Sequence, residues 1–501
     1  MKERMRRETK DMATIKTLPT CVPIPIPTEK LSQTVENAKD LACVSGFLMR
    51  TVEKPTSSDV IRPAPFMLLP TAIPRILFQK AVDIQPYINE LYFKVANDHD
   101  FLHKTLERTI AVDEFTARQW EILETARKQG KTKVCKTESI QLAMLRSDYM
   151  LDTARADSLV LSQVEVNTIS ASFAGLASCL EKVHSFVISQ LGHVSDKSKI
   201  PHNSACHCYA KALYSAWEVY GNPQAVVVMF VQEAEGNIFD QRLIEQALDN
   251  IEPTVKLRRR TMSYVGEHGT LTEDNRFLLD GEEVAVFYYR TGYVPDQFKT
   301  DFDWEAKLNA ELSKAIVCPS IGWHLAGSKK VQQELARPGV LEKFISDPKK
   351  VAAIRSTFTG LYSLELDQEG DKMASRAIAN PEKFVMKPQL EGGGNNIYGD
   401  NIKTVLQKMA GTEERSKYIL MDRILPHSAK NYAIRGGFPL QPPGDYVSEF
   451  GFYGVFLSSS NLGGIVINET AGHQVRTKLQ SQDEGGVVVG VSSLDSPFLV
   501  E

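Results

Sequence analysis

The stretch from Lys387 to Gly399 reads KPQLEGGGNNIYG and contains three consecutive glycines. Glycine loses the most conformational entropy on folding, so this run does not serve the stability of a strand. It instead allows backbone N–H groups to approach a ligand closely, as loops that bind phosphate groups require. Lys387 supplies a positive charge for phosphates, and Glu391 can complete a magnesium site. The stretch is neither a GxxxxGK[ST] nor a GxGxxG motif, but we favour nucleotide binding over a flexible hairpin tip.

The segments around this stretch indicate a strand-rich C-terminal third. Strand patterns run over Lys383–Lys387, Tyr418–Met421, Tyr446–Phe456 and Gly464–Asn468. Further on, Arg476 and Lys478 share one face if the chain is extended there, so they can bind a carboxylate and a phosphate, respectively. Asp483-Glu484-Gly485-Gly486 follows them. The alternative for this run is a solvated strand with a turn.

A second polar group ends the alternating segment Val160–Asn167, which predicts a half-buried strand. Glu165 and Asn167 lie on one face of that strand, although both residue types are uncommon in strands. A carboxylate and an amide oxygen suit Mg²⁺, so the pair predicts a magnesium site, with a solvent-facing strand end as the alternative. The following Ser170-Ala171-Ser172 offers hydroxyls and amides to a ligand carboxylate.

Breakers and periodicity divide the chain. Gly221-Asn222-Pro223 marks a boundary, and the apolar run Ala225–Val231 predicts a strand covered on both faces. A helix that Asp240 can cap follows, and Asp280-Gly281 signals a hairpin. We therefore predict a small α/β domain over residues 222–327, between residues 31–221 and 328–501. Residues 1–30 are expected to be a disordered tail or the remnant of a longer precursor.

Composition limits the partners of the protein. The 501 residues predict about three structural units. The net charge of −4 provides no field toward phosphate backbones or anionic membranes, so we expect neither nucleic acid nor membrane as a partner. Seven scattered cysteines indicate reduced intracellular thiols. His202, Cys206, His207 and Cys208 are zinc ligand types, but they lack a second well-spaced pair, which favours a reduced cysteine pair.

Seven segments in chain order together resemble the eukaryotic glutathione synthetase family. They are RSDYM (146–150), EVNTISASFAGLAS (165–178), NIFDQR (237–242), RTGYVP (290–295), LAGSKKVQQEL (325–335), KPQLEGGGNNIYG (387–399) and RTK…EGGV (476–487). The resemblance begins near Arg62 and extends to the C-terminus. It implies an α/β (α+β) protein of the ATP-grasp fold, with an inserted Rossmann-like substrate-binding domain and a glycine-rich lid, working as a cytoplasmic homodimer.

The resemblance also implies roles for individual residues. Mg²⁺ would be held by Glu165, Asn167 and Glu391, and catalysis would involve Arg146, Gly393 and Arg476. ATP would contact Glu165, Lys329, Lys387, Glu391, Gly392, Gly393, Gly394, Asn395, Asn396, Tyr398, Met421, Asp422, Arg423, Ile424, Glu449, Lys478 and Glu484. The peptide substrate and the acceptor would contact Arg146, Ile169, Ser170, Ala171, Ser172, Glu235, Gly236, Asn237, Gln241, Arg290, Thr291, Gly292, Tyr293, Arg476, Val487 and Val488.

The implied reaction is the ATP-dependent ligation of γ-glutamylcysteine to glycine through an acyl phosphate, the second step of glutathione synthesis. Three departures stand out: Glu484 replaces the usual Asp, Asp422-Arg423 replaces Glu-Lys, and Val487-Val488-Val489 is bulkier than the usual small residues. The last departure leaves open another acceptor, such as β-alanine or serine. A catalytically silent relative is the other alternative, but it would not need the intact set of magnesium ligands.

Overall fold

The structure is a computed structural model, and it describes residues 17–129, 139–487 and 490–501. Its helices are α1 (Thr28–Val44), α2 (Arg75–Ala96), α3 (His99–Val112), α4 (Glu114–Lys128), α5 (Ala174–Gln190), α6 (Ala205–Tyr220), α7 (Ile238–Ile251), α8 (Met262–His268), α9 (Asp301–Leu312), α10 (Ile321–Ala326), α11 (Lys329–Leu335), α12 (Leu341–Phe344), α13 (Pro348–Arg355), α14 (Gln368–Ala379) and α15 (Asp400–Lys408). No helix in these ranges is long and apolar enough to cross a membrane.

The strands form five sheets. They are β1 (Leu48–Arg50), β2 (Ile61–Pro63), β3 (Phe66–Met67), β4 (Thr71–Pro74), β5 (Ile140–Asp152), β6 (Val160–Asn167), β7 (Val226–Phe230), β8 (Leu257–Arg260), β9 (Thr270–Leu271), β10 (Phe277–Leu279), β11 (Glu282–Tyr289), β12 (Ile316–Cys318), β13 (Leu361–Ser363), β14 (Phe384–Pro388), β15 (Ile397–Tyr398), β16 (Tyr418–Asp422), β17 (Ser428–Asn431), β18 (Ala433–Ile434), β19 (Gly444–Ser459), β20 (Gly464–Leu479), β21 (Ser493–Asp495) and β22 (Pro497–Val500). The strands predicted from the C-terminal third are confirmed, and the last two extend further than their patterns.

The largest sheet follows the order β18-β3-β21-β20-β19-β5-β6, with β17 beside β19. The hairpin of β19 and β20 forms its centre, and β5 pairs with the free edge of β19. Leu142 and Met144 of β5 lie in one apolar cluster, whereas Ala143 and Leu145 lie in another. Because successive side chains of a strand point to opposite faces, this sheet is buried on both faces.

The second sheet is built from the strands between Val226 and Cys318. β8, β7, β11 and β12 lie side by side in that order and are parallel, whereas β10 and β9 continue the sheet antiparallel. Asp280 and Gly281 join β10 to β11 with φ values of 52° and 79°. Positive φ at both central residues is the geometry of a tight hairpin turn, so the predicted hairpin is confirmed. The domain boundaries at 222 and 327 stay predictions.

The third sheet carries the glycine-rich stretch. It has the antiparallel order β13-β16-β14-β15. The loop between β14 and β15 contains residues 389–396, so the three glycines do lie in a hairpin loop. Phe384, Met386 and Leu420 bury one face of this sheet in an apolar cluster with α14 and α15. The loop therefore projects from a well-packed support.

The N-terminal segment differs in part from the expected tail. From residue 17 the chain lies against the body of the protein, and Cys21, Val22 and Ile26 are buried. The Ile26 backbone N–H donates to the Tyr432 hydroxyl oxygen at 3.0 Å. The prediction of a disordered tail is therefore wrong for residues 17–30, because these apolar side chains join the core. Residues 1–16 lie outside the described residues.

Candidate functional site

Two glutamates from distant elements meet at one lysine. Glu165 near the end of β6 and Glu391 in the glycine-rich loop place carboxylate oxygens 3.4 Å and 2.9 Å from the Lys329 Nζ. Burial opposes the charge of Glu165, but Lys329 and Lys387 outweigh it and hold the pKa of this carboxyl well below its usual range. Burial, with the negative charge of Glu165, raises the pKa of Glu391. The two carboxylates thus lie close enough for the charge of Glu165 to oppose ionisation of Glu391.

This close pair of carboxylates fits a divalent cation. Glu391 Oε2 is buried and has no hydrogen-bond partner. Asn167 donates from Nδ2 to Asp148 Oδ2 at 2.9 Å, which leaves its amide oxygen for another group. No group of three or more His, Cys, Asp or Glu side chains in the described ranges can hold a metal alone. Mg²⁺ commonly binds one or two carboxylates and completes its shell with substrate phosphates and water, so Glu165, Glu391 and Asn167 fit it.

A bulge in β6 positions Lys387. Asp148 of β5 pairs with Glu165, but the next residue of β5 pairs with Gln163, so Val164 is the extra residue. The carbonyl oxygen of Val164 accepts a hydrogen bond from Lys387 Nζ at 2.8 Å. Burial lowers the pKa of Lys387, although the Glu165 carboxylate opposes the shift. Lys387 thus lies beside the carboxylate pair with N–H donors left for an anion.

The glycine-rich loop contacts the loop that follows β20. The Asn396 backbone N–H donates to Glu484 Oε1 at 2.6 Å. A Cβ built on Gly393 would lie 2.4 Å from the Gly485 carbonyl oxygen, so a side chain at this position would not fit. Arg423 forms an ion pair with Asp483 at 2.8 Å. The two loops are therefore in direct contact, and one of them carries Glu391 of the carboxylate pair.

The residues assigned to the nucleoside lie on two neighbouring sheets. Tyr398 belongs to β15, Met421 and Asp422 belong to β16, Ile424 follows β16, Glu449 belongs to β19, and Lys478 belongs to β20. Arg423 lies 5.7 Å from the centre of the Tyr398 ring. Lys478 Nζ donates to the Asp483 carbonyl oxygen at 2.5 Å. The residues assigned to ATP thus come from both sheets. Gly392, Gly394 and Asn395 lie in the glycine-rich loop.

Two arginines of the largest sheet share an aspartate that the sequence analysis missed. Arg146 donates from Nε and Nη2 to the two oxygens of Asp148 at 2.6 Å and 2.8 Å. Arg476 contacts Asp148 Oδ2 at 3.1 Å and also contacts Glu449. The sequence did carry a signal, because residues two apart on a strand share a face. Asp148 fixes both guanidinium groups beside Asn167.

A second buried ion pair corrects the role expected for Asp240. Arg290 donates to Asp240 Oδ2 at 2.7 Å, and both side chains are almost fully buried. Asp240 does not cap its own helix, since it lies within the first turn of α7. Its carboxylate instead accepts from the backbone N–H groups of Phe173, Gly175 and Leu176 at the start of α5. Asp240 thus holds two helices and an arginine together.

Unpaired buried atoms collect around this ion pair. Nε and Nη1 of Arg290, Oδ1 of Asn237 and Oε1 of Gln241 are buried without a partner. Glu235 accepts from the Asn237 backbone N–H and from Gln241, which aligns these residues. Buried polar atoms are almost always hydrogen-bonded in folded proteins. The set indicates a ligand that brings both donors and acceptors, as a peptide does.

The loop after β6 completes this pocket. Ser170 adopts a left-handed φ of 51°, which is uncommon outside glycine and typical of functional sites. Ser172 accepts from Arg290 at 3.1 Å, and its carbonyl oxygen accepts from Arg146 at 3.4 Å. Ile169 and Ala171 are buried beside it. The loop thus links the two arginine centres.

The remaining assigned residues take different positions. Thr291 is buried, and the backbone N–H groups of Gly292 and Tyr293 donate to Gln297 Oε1 at 2.8 Å and 3.0 Å. Gly236 accepts at its carbonyl from the Arg50 backbone N–H. Val487 is buried in an apolar cluster, and Val488 lies outside the described residues. The acceptor pocket therefore stays a prediction.

The zinc alternative finds no support among the described residues. His202 Nδ1 contacts a carboxylate oxygen of Glu181 at 3.0 Å. Burial raises the pKa of Cys206 to about 12, which disfavours the thiolate that zinc requires. Cys206 and Cys208 are free, half-buried thiols, as expected for the reduced pair.

Together, a glycine-rich hairpin on an antiparallel sheet, its contact with the loop after β20, and lysines beside a carboxylate pair indicate an ATP-dependent ligase of the ATP-grasp class. The sequence model of the family described as "Eukaryotic glutathione synthase, ATP binding domain" matches residues 28–499. The chain therefore belongs to the eukaryotic glutathione synthase family and is an ATP-dependent ligase of glutathione biosynthesis.

Relatives in animals and plants agree with this assignment. Glutathione synthetase of Xenopus laevis is 44% identical, and that of Homo sapiens is 42% identical; each alignment covers 94% of this chain and 98% of the relative. The chloroplastic enzyme of Solanum lycopersicum is 41% identical over 87% of this chain and 78% of the relative. The structure of a glutathione synthetase-like effector from Globodera pallida in its apo form has a TM-score of 0.76 at 25% identity, covering 96% of this chain and 100% of that chain.

Proposed function

We propose that this ligase joins the cysteinyl carboxylate of γ-glutamylcysteine to the amine of glycine, with Mg²⁺ held by Glu165, Asn167 and Glu391. The observation that carries the proposal is the set of buried, unpaired polar atoms around Arg290. These atoms need a ligand with a carboxylate, an amine and amide groups within reach of Asn237 and Gln241. A γ-glutamyl dipeptide has these groups.

The proposed reaction has two steps that conserve every atom. A carboxylate oxygen of the dipeptide attacks the γ-phosphorus of ATP, the bond to the bridging oxygen breaks, and ADP leaves with that oxygen. The amine of glycine then attacks the acyl carbon, the phosphate departs with the former carboxylate oxygen, and the amine loses one proton. Neither step needs a nucleophile from the protein.

The protein's part is to hold charge and exclude water. Lys329 and Lys387 offer ammonium groups to the phosphates, and Arg146 and Arg476, aligned by Asp148, offer guanidinium groups to carboxylates. Mg²⁺ would neutralise phosphate charge at the carboxylate pair. The two contacting loops would keep water from the acyl phosphate, which is prone to hydrolysis.

A mixture of acceptors tests this proposal. We expect purified protein given ATP, Mg²⁺, γ-glutamylcysteine and equal concentrations of glycine, alanine, serine and β-alanine to form mainly the glycine adduct. One methylene in a tight pocket changes the free energy that discriminates two substrates by about 1–3 kcal/mol. We therefore expect a preference for glycine of roughly 10- to 200-fold. A mixture dominated by the β-alanine or serine adduct would overturn glycine as the acceptor and support the alternative that Val487 and its neighbours suggest.

We also propose that the enzyme is a cytoplasmic homodimer, as its resemblance to the family implies. Light scattering during gel filtration should give twice the mass of one chain, and a mass of one chain would contradict this.

A further inference from the structure

A cavity of about 370 Å³ lies at the carboxyl ends of the parallel strands β7 and β8. Its lining includes the charged residues Arg50, Arg259, Arg260, Glu233 and Glu235. Ligands of parallel α/β sheets commonly bind in the crevice outside the carboxyl ends of the strands. None of the residues assigned to ATP lines this cavity, but Glu235, which is assigned to the peptide substrate, does, so a ligand here would lie beside the peptide and apart from ATP.

The arginines of the edge strand β8 differ in whether they form an ion pair with a carboxylate. Arg258 donates from Nε and Nη2 to the two oxygens of Glu282, each at 2.8 Å. Arg260 Nη2 lies 2.8 Å from Asp280 Oδ2. Both guanidinium charges are therefore already neutralised. Successive side chains of a strand point to opposite faces, so Arg259 points away from these two acids.

Arg259 has no acidic partner among the described residues. Its only polar contact there is a weak one, from Nη1 to the Met229 sulfur at 3.9 Å. The nearby Arg242 is itself paired with Glu245 at 2.6 Å. Burial, together with the charge of Arg242, lowers the pKa of Arg259 to about 10, although the negative charges of Glu245 and Glu235 oppose the shift. A half-buried guanidinium that is hydrogen-bonded to no carboxylate is costly, so its retention favours an anion from outside the chain.

Arg50 contributes a second guanidinium group, and its hydrogen bonds go to neutral acceptors. Its guanidinium donates to the Ser58 hydroxyl at 3.2–3.3 Å and to the Pro55 carbonyl at 3.1 Å, which are neutral acceptors. Across the cavity, both oxygens of Glu235 are already occupied by N–H donors of α7 and its cap, and Glu233 is exposed. Neither glutamate forms an ion pair with Arg50 or Arg259 in the described part of the chain.

We propose that this cavity is a binding site for a phosphate-type oxyanion of a small molecule, held by Arg50 and Arg259. Guanidinium groups bind such oxyanions through two parallel, charge-assisted hydrogen bonds. The Arg50 backbone N–H also donates to the Gly236 carbonyl at 3.1 Å. An anion on Arg50 therefore lies directly beside the segment 235–237 that the peptide site uses.

Calorimetric titration with inorganic phosphate tests the site. The protein is first saturated with Mg²⁺ and a non-hydrolysable ATP analogue, which blocks phosphate binding at the nucleotide cleft. Arg259→Gln should weaken phosphate binding at least about tenfold, because it removes a charged hydrogen-bond donor. Arg258→Gln is the matched control on the same strand, and it should change the affinity less than about twofold because Glu282 already neutralises Arg258.

Two results would overturn the site: no phosphate binding by the saturated wild-type protein, or equal losses in Arg259→Gln and Arg258→Gln, which would indicate diffuse charge. Circular dichroism checks that each variant is folded. If Arg259→Gln does not fold, Arg259→Lys replaces it, because this variant keeps the charge and loses the planar fork. A phosphate affinity unchanged in Arg259→Lys would then contradict the paired hydrogen bonds we propose.

Discussion

Glu165 and Glu391 both contact the ammonium group of Lys329, and Lys387 Nζ lies 3.9 Å from Glu165 Oε2. This arrangement determines how the proposed metal site should respond to mutation. One of the two carboxyls has a lowered pKa and the other a raised pKa, which is how close pairs of acids behave. A cation between them would allow both to ionise. The loss of either carboxylate should therefore affect the reaction more than the fold.

Glu391→Gln keeps the shape of the side chain and removes its charge. We expect turnover to fall by roughly 100-fold or more, because a preorganised group near the transferred phosphoryl is lost. The melting temperature should fall far less than the activity, since a glutamine oxygen can still accept from Lys329, which stays paired with Glu165 at 3.4 Å. ADP release and thermal unfolding measure the two effects.

The matched control is Glu382→Gln, an exposed glutamate just before β14. This substitution should change the rate of ADP release by less than twofold. Replacing an exposed residue without an ion pair usually has an effect on the order of 0.5 kcal/mol at most. Near-normal ADP release by Glu391→Gln itself would refute the assignment of this residue to Mg²⁺.

The sequence alone could identify single residues whose type is unusual for the local sequence pattern. Glu165 and Glu391 were found because a polar strand end and a glycine run are unusual patterns. Asp240 was misassigned because its partners are distant in sequence. Asp148 was missed although Arg146 lies two residues away on β5, because its contact with Arg476 exists only in the folded sheet. Arg290 lies 50 residues from Asp240 along the chain, and no periodicity signals such a pair.

The hairpin formed by β14, β15 and the loop between them is the element on which access to the site depends. A Cβ at Gly393 would lie 2.4 Å from the backbone oxygen of Gly485, and backbone cannot move aside as a flexible side chain can. Gly393→Ala should therefore prevent the two loops from meeting. We expect kcat/KM for ATP to fall by on the order of 100-fold, as for misplaced catalytic groups in general.

Steady-state kinetics and the melting temperature test this together. Gly393 is exposed, so the variant should melt within a few degrees of the wild type. Wild-type kinetics in Gly393→Ala would mean that catalysis does not depend on the contact between the loops. The glycine-rich stretch would then be only a flexible hairpin tip, which is the alternative to nucleotide binding.

Helices α5 and α7 are joined through Asp240. Asp240→Asn leaves the Arg290 charge buried without a counter-charge and weakens the hydrogen bonds from the start of α5. Removing one partner of a buried pair commonly costs about 3–5 kcal/mol, so we expect the free energy of unfolding to fall by about 3 kcal/mol. Urea denaturation measures this loss. Asp249→Asn, an exposed position on the same helix, is the control and should be neutral.

A stability loss in Asp240→Asn no larger than in Asp249→Asn would show that the pair is not structural.

The elements themselves were largely predictable, because alternating and helical periodicities are local properties of the sequence. The bulge at Val164 was not, since it exists only in the pairing of β6 with β5. The lengths of β19 and β20 were also underestimated, because half of β20 is polar and reads as loop.

For the whole molecule, one buried carboxyl near the C-terminus should couple stability to pH. Burial raises the pKa of Asp495 to about 7, although hydroxyl donors from Thr71 and Thr477 oppose the shift. The folded state therefore binds this proton more tightly than the unfolded state. The stabilisation it provides is complete below about pH 4 and is lost as the pH rises through about 7.

Asp495→Asn removes this titration. The free energy of unfolding of the wild type relative to Asp495→Asn should fall by about 4 kcal/mol between pH 4 and pH 8. The difference between wild type and variant cancels the contributions of other groups. One of these is His184, whose pKa burial lowers to about 4, so that its effect on the pH dependence of stability has the opposite sign. Denaturation series at several pH values supply the curve, and a difference independent of pH would contradict the buried titration.

The central claim is that the dipeptide carboxylate attacks ATP and that an amine then displaces the phosphate. The most direct test uses γ-glutamylcysteine carrying ¹⁸O in its cysteinyl carboxylate, with ATP, Mg²⁺ and glycine, and the mass spectrum of the phosphate released. With both carboxylate oxygens labelled, we expect one ¹⁸O atom in each phosphate, formed together with one ADP and one tripeptide. Unlabelled phosphate would mean that water attacks ATP, and it would contradict the ligase mechanism.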